Sequence, residues 1–116
     1  ALVTDAMRAA GQGPGTYVLG DLEMVVEDGI ALVPDRTLFA GSVTTMDACV
    51  RNLVNLGGAT LERAIQAATI DPARMVGVDD RKATIEVGKD ADLVVLDQSL
   101  AVRHTIIGGR LFEPSE

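Results

Sequence analysis

Few residues in this chain of 116 have types and neighbours that could do chemistry. Asp5 comes first, at the end of the apolar run Leu2-Val3-Thr4 and ahead of a Gly-Gln-Gly-Pro-Gly loop at 11–15. A carboxylate at the carboxyl end of a strand can take a proton from water and hand it to a leaving group. It can equally cap the Ala6–Ala10 turn, which is the commoner use of Asp on residue type alone. Phe39-Ala40-Gly41-Ser42 is the second candidate. Gly41 lets backbone approach a ligand closely, and the helix expected after it offers free N–H groups to an anionic or carbonyl oxygen. The same residues can also simply turn the chain into that helix, with Ser42 or Thr44 as its cap.

The remaining candidates are weaker. His104 is the single histidine, whereas a zinc site needs three or four convergent ligands, so no metal ligand is assigned in this chain. Cys49 lies on the apolar stripe of the first helix and reads as packing. Arg51 is expected on the opposite face as a surface charge, and Asp79-Asp80-Arg81-Lys82 as a charged turn. Gly11, Gly13 and Gly15 follow no convincing strand and open no amphipathic helix, so they do not form a phosphate loop.

The elements that would hold these residues follow from pattern. Tyr17 to Leu19, Leu22 to Glu27 and Ile30 to Val33 read as a three-stranded meander, with Asp28-Gly29 as a type I′ turn. Residues 37–42 read as a loop. Met46, Cys49, Val50, Leu53 and Val54 form one helical stripe, with Thr44 as cap and Gly57-Gly58 as stop. Thr60 caps a second helix whose core face is Leu61, Ala64, Ile65 and Ala68. Asp71 caps a third, with Pro72 at its first position and Gly77 at its end. Strands are expected at 84–87, 92–96 and 102–107, the second buried after the turn at Gly88. Leu2-Val3-Thr4 reads as a lone strand without a nearby partner.

Composition narrows the class. Hydrophobic residues make up 47% and aromatics 3%, so aliphatic side chains and alanines must fill the interior, as in helix-on-sheet layers. A net charge of −7 gives no basic footprint, so no nucleic-acid partner is expected. No apolar run of about 18 residues occurs, so no membrane span is expected. A lone cysteine excludes an internal disulfide, fits a reducing compartment and makes a cytoplasmic location the expectation.

Five stretches, in order along the chain, carry a resemblance. Ala83-Thr84-Ile85-Glu86-Val87-Gly88-Lys89-Asp90-Ala91-Asp92-Leu93-Val94-Val95-Leu96-Asp97 resembles a signature of the amidohydrolase superfamily, where it lies in the small β-domain beside a catalytic barrel. Ala68-Thr69-Ile70-Asp71-Pro72-Ala73-Arg74-Met75-Val76-Gly77 resembles the helix leading into that domain. Leu2 to Ala6, the meander, and Phe39-Ala40-Gly41-Ser42 with Thr45-Met46 and Val50 to Val54 resemble the N-acetylglucosamine-6-phosphate deacetylases. Phe39 stands where that family usually has an aliphatic residue, and Ala83 where it usually has glycine.

The resemblance implies an α/β fold: the last strand and helices of a TIM-like (β/α)8 barrel at 1–77, with a meander insertion at 16–33, and strands of a small β-sandwich domain at 78–116. It implies Asp5 as catalytic acid/base and Phe39, Ala40 and Gly41 as substrate-binding. A divalent metal, zinc or similar, is implied in the parent protein, with its ligands upstream. The implied substrate is an amino-sugar phosphate, and the implied partner a second copy or the remainder of the parent chain. The fragment alone is expected to be inactive, and Gly41→Val to raise KM while leaving the fold largely intact. The alternatives are a dihydroorotase-like or hydantoinase-like amidohydrolase, or a non-catalytic assembly module.

Overall fold

A computed structural model describes residues 1–112; residues 113–116 of the expected β-domain lie outside the described residues. The chain forms two compact units: residues 3–49, and residues 50–116 together with Ala1 and Leu2.

The first unit is built on an antiparallel sheet of four strands in sequence order: β1 (Gly15–Leu19), β2 (Leu22–Glu27), β3 (Ile30–Leu32) and β4 (Phe39–Gly41). The β2–β3 turn is the one expected. Asp28 and Gly29 both have positive φ, 51° and 75°, and Glu27 pairs directly with Ile30. Alternation along β2 buries Met24 and Val26. Ala9, Val26 and Ala31 form the core of the unit, with Met7, Tyr17 and Val43 packed against it.

Two expectations fail in this unit. Residues 39–41 are a strand and not a loop, pairing Gly41 with Ala31 and Phe39 with Leu32 across a register shift. Three residues are too few for alternation to show, and their partner lies elsewhere in the sequence. Leu2-Val3-Thr4 is not a strand. The Thr4 hydroxyl accepts the Ala6 amide at 3.3 Å and Asp5 takes φ 49°, which bends the chain directly after the segment. The Leu2 amide donates to the Ala67 carbonyl at 2.7 Å, and the parallel bridge of Ala6 to Ser42 comes only after the segment.

Helix α1 (Met46–Asn55) begins two residues after the expected cap, Thr44, so Thr45 flanks it and accepts the Cys49 amide on its carbonyl. In α2 (Leu61–Ala68), Thr60 is the cap, its hydroxyl accepting the Arg63 amide at 3.2 Å. The buried positions of α2 are Ala64 and Ala67, whereas Leu61 is exposed. Helix α3 (Ile70–Val76) follows at once from Thr69, so Asp71 is inside the first turn and not its cap; its carboxylate takes the Arg63 guanidinium instead, at 2.6 Å. Gly77 closes α3 in the left-handed region, as expected.

The tail forms a second antiparallel sheet of three strands, β5 (Leu93–Leu96), β6 (Val102–Ile107) and β7 (Arg110–Phe112). Residues 84–87 are not a strand. The chain there wraps the half-buried Lys89, whose ammonium reaches the Asp79 carbonyl at 2.7 Å and the Thr84 hydroxyl at 2.6 Å. Nor is β5 buried: Val94 and Val95, which point to opposite faces of the sheet, are both exposed. Arg51 is half-buried and donates to the Leu100 carbonyl at 2.8 Å, so it is more than a surface charge.

Candidate functional site

All four candidate site residues fall in the first unit, and local chemistry explains how each is held. Asp5 is an exposed residue in the left-handed region, tolerable for Asp because its short polar side chain suits that conformation. The Thr4 hydroxyl closes the bend over it by accepting the Ala6 amide. The next residues then meet the end of β4: Ala6 bridges Ser42 in parallel, and the Met7 amide donates to the Ser42 carbonyl at 2.8 Å. The segment carrying Asp5 is therefore hydrogen-bonded to the residue directly following Phe39-Ala40-Gly41.

Strand β4 is launched by an Asx turn. The Asp35 carboxylate accepts the Thr37 hydroxyl at 2.7 Å and the Thr37 amide at 3.0 Å, and these bonds hold its pKa below the usual carboxylate range. Nearby, the Arg36 guanidinium grips both oxygens of Glu27, at 3.2 and 2.6 Å, and lowers that carboxyl likewise. Along β4, Phe39 is 79% exposed, Ala40 half-buried and Gly41 exposed. A ring left in water at a strand edge is free to be covered by a ligand or by another surface.

Gly41 has a more demanding place than a loop glycine. Its φ is 137°, and a Cβ there would lie 3.2 Å from Met7 Cγ. At that φ any side chain at 41 is strained, and its Cβ would require Met7 to give by a few tenths of an ångström, so Gly41→Val is expected to carry a stability cost as well as an effect on KM. Met7 was not singled out by sequence reasoning. Its only signal is its place two residues after Asp5, which says nothing about a contact with residue 41.

The Gly-rich loop is a fixed turn. The Tyr17 hydroxyl lies 3.1 Å from the Gln12 carbonyl and 2.9 Å from that of Gly13, donating its one proton between them. A cavity of about 250 Å³ opens beside this loop, lined by Ala9, Gly13, Val26 and Val43 among others. None of the four candidate residues lines it, so it is not part of the site.

Among the described residues, no group of three or more His, Cys, Asp or Glu side chains is placed to hold a metal ion. His104 is exposed on β6 and Cys49 half-buried in α1. These residues do not fit a metal centre by themselves. No described helix is long and apolar enough to cross a membrane.

The amidohydrolase family matches residues 8–112, and the chain belongs to it. Within that family it is similar to sugar-phosphate deacetylases. It is 44% identical over 109 residues to N-acetylglucosamine-6-phosphate deacetylase from Danio rerio, covering 94% of this chain and 27% of the relative. It is 43% identical over 110 residues to N-acetylgalactosamine-6-phosphate deacetylase from Escherichia coli O157:H7, covering 95% and 29%. A solved structure of N-acetyl-D-glucosamine-6-phosphate deacetylase from Mycobacterium smegmatis, a variant in complex with N-acetyl-D-glucosamine-6-phosphate, superposes with a TM-score of 0.81 at 36% identity. That match covers 96% of this chain and 30% of the solved one. The chain thus spans under a third of the length of these relatives.

Proposed function

We propose that the parent of this chain hydrolyses the acetyl amide of N-acetylglucosamine 6-phosphate, giving glucosamine 6-phosphate and acetate. The observation that supports the reading is the Ala6–Ser42 pairing, which joins the residue after Asp5 to the residue after Gly41. Asp5 acts as acid/base. Its carboxylate takes a proton from the attacking water as the new C–O bond forms. It then gives that proton to the nitrogen as the C–N bond breaks, because an amine leaves only when protonated. Phe39, Ala40 and Gly41 form the wall that holds the sugar and its acetyl group, with Phe39 making that wall bulkier than an aliphatic residue would.

The same proposal places residues 1–77, with their insertion at 16–33, in an amidohydrolase barrel and 78–116 in a small β-sandwich domain. It assigns a cytoplasmic location and either a second copy or the rest of the parent chain as neighbour. Amidohydrolases are generally metal-dependent. A zinc or similar divalent cation is accordingly assigned to the parent, with no ligand assigned here.

A second reading is the C4 epimer, N-acetylgalactosamine 6-phosphate, favoured by the nearly equal identity to the E. coli deacetylase. The experiment is direct: assay the full-length parent for acetate release from both sugar phosphates. Preference for N-acetylglucosamine 6-phosphate supports the first reading and preference for its epimer the second. No acetate from either removes both.

A further inference from the structure

The space where Gly41 would carry a side chain is filled by Met7. An added Cβ would lie 3.2 Å from Met7 Cγ, 3.4 Å from its Cβ and 3.6 Å from its Sδ. The Met7 backbone is fixed against the same strand, its amide donating to Ser42 at 2.8 Å, and its side chain also packs against the core of Ala9, Val26 and Ala31. Two residues earlier stands Asp5. Among the described residues no side chain hydrogen-bonds the Asp5 carboxylate, so its location is inherited from the backbone around it. That backbone is bent by the Thr4–Ala6 bond on one side and anchored by Met7 on the other.

We propose that Met7 is a positioning residue: seated on Gly41, it sets the distance between Asp5 and the strand Phe39–Gly41. This rests on the reading of Asp5 as the acid/base. It gives Gly41 a reason beyond ligand access, since glycine leaves open the space that the Met7 side chain fills. A flexible thioether suits such a seat because it adapts to an irregular surface while excluding water. A plain core filler would affect stability alone. A positioning residue affects the chemical step, because displacing a reacting group by about 1 Å can cost about 100-fold in rate.

The test uses the full-length parent and five variants: Asp5→Asn, Met7→Ala, Met7→Leu, Gly41→Ala and the Met7→Ala/Gly41→Ala pair, each checked by thermal unfolding. Met7→Ala is expected to lower kcat by about 10- to 100-fold with KM held within about twofold. Met7→Leu, of similar volume, is expected to recover most of that loss. Gly41→Ala is expected to lower kcat too, and the pair to lose less than the product of the single losses.

An unchanged kcat in Met7→Ala, or a rise in KM alone, overturns the proposal. Where Gly41→Ala does not fold, the Met7 variants decide, with Met7→Val standing in for an unfolded Met7→Ala. If Asp5→Asn turns over normally, the acid/base reading fails and the positioning with it. If Asp5→Asn is impaired and Met7→Ala is not, only the positioning fails.

Discussion

The Met7 amide donates to the Ser42 carbonyl at 2.8 Å, and that one bond joins the segment carrying Asp5 to the strand that ends at Gly41. Distant parts of the sequence are thereby brought into fixed register. The same bond closes the parallel Ala6–Ser42 bridge. Acid/base chemistry on an amide needs a proton acceptor and a substrate wall at constant separation. A backbone bond gives that constancy better than a pair of long side chains, which lose rotamer entropy when ordered.

Asp5→Asn in the full-length parent keeps the size of the side chain and removes its ability to take a proton. The expected fall in kcat is roughly two to four powers of ten, the usual worth of general acid–base catalysis. Steady-state kinetics on a sample of normal thermal stability checks it, and near-normal turnover would exclude the assignment.

Thr60→Ala should cost about 1 kcal/mol of stability. The Thr60 hydroxyl satisfies the Arg63 amide at the start of α2, and alanine leaves that donor without its cap. Denaturant unfolding of the parent, with the Thr60→Ser variant as a control that keeps the hydroxyl, measures the difference. Equal losses in both variants would assign the effect to packing of the methyl group.

Asp97 gives the tail sheet a dependence on pH. Its carboxylate accepts the Ser99 hydroxyl at 2.7 Å, the Ser99 and Ala101 amides at 2.8 and 3.0 Å, and the Arg103 guanidinium at 2.9 and 2.5 Å. The Ser99 hydroxyl, then the Ala101 amide, with Arg103 adding to both, hold its pKa well below the usual carboxylate range. A carboxyl lowered on folding stabilises the folded state above its unfolded pKa, about 3.9 for Asp, and loses that contribution as pH falls below it. Melting temperature should therefore drop on acidification below about pH 4, and drop less steeply in Asp97→Asn. Parallel curves for the two proteins would show that Asp97 does not couple to folding.

What could be read from sequence divides along the range of the interactions. Asp28-Gly29, Thr60 and Gly77 were legible because a turn, a cap and a helix stop are each decided by residues a few places apart. Strand β4 was not: Phe39–Gly41 is a strand only because β3 is there to pair with it, and no alternation in three residues announces that. Residues 84–87 fail in the opposite sense. Their β-prone composition suggested a strand, yet the Lys89 ammonium gathers the Asp79 carbonyl and the Thr84 hydroxyl and curls the chain. Asp71 was read as a cap from its place before Pro72, and Arg63, one helix earlier, claims it. For the site, Asp5 and the Phe39–Gly41 run could be nominated from residue type and resemblance. The Met7–Gly41 contact that relates them needed coordinates, since nothing in either segment's pattern names the other.

The isolated chain should neither turn over substrate nor remain monomeric. A hydrolytic metal site asks for several N and O ligands, and the described residues bring no such group together. The tail sheet has only three strands, and among its described residues β5 and β7 each have one neighbour in the ladder. The exposed side chains there include Val94, Val95, Val102, Ile107, Leu111 and Phe112, so unpaired backbone edges coincide with apolar surface. That combination favours pairing with another chain. Purified alone, the 116-residue chain is expected to elute as an oligomer or aggregate, to bind no stoichiometric metal by elemental analysis, and to release no acetate. Charged substitutions at Val94 and Ile107 should shift it towards monomer, read by light scattering. A monomeric, metal-loaded and active sample would show that these residues form a sufficient enzyme and that the apolar sheet face needs no cover.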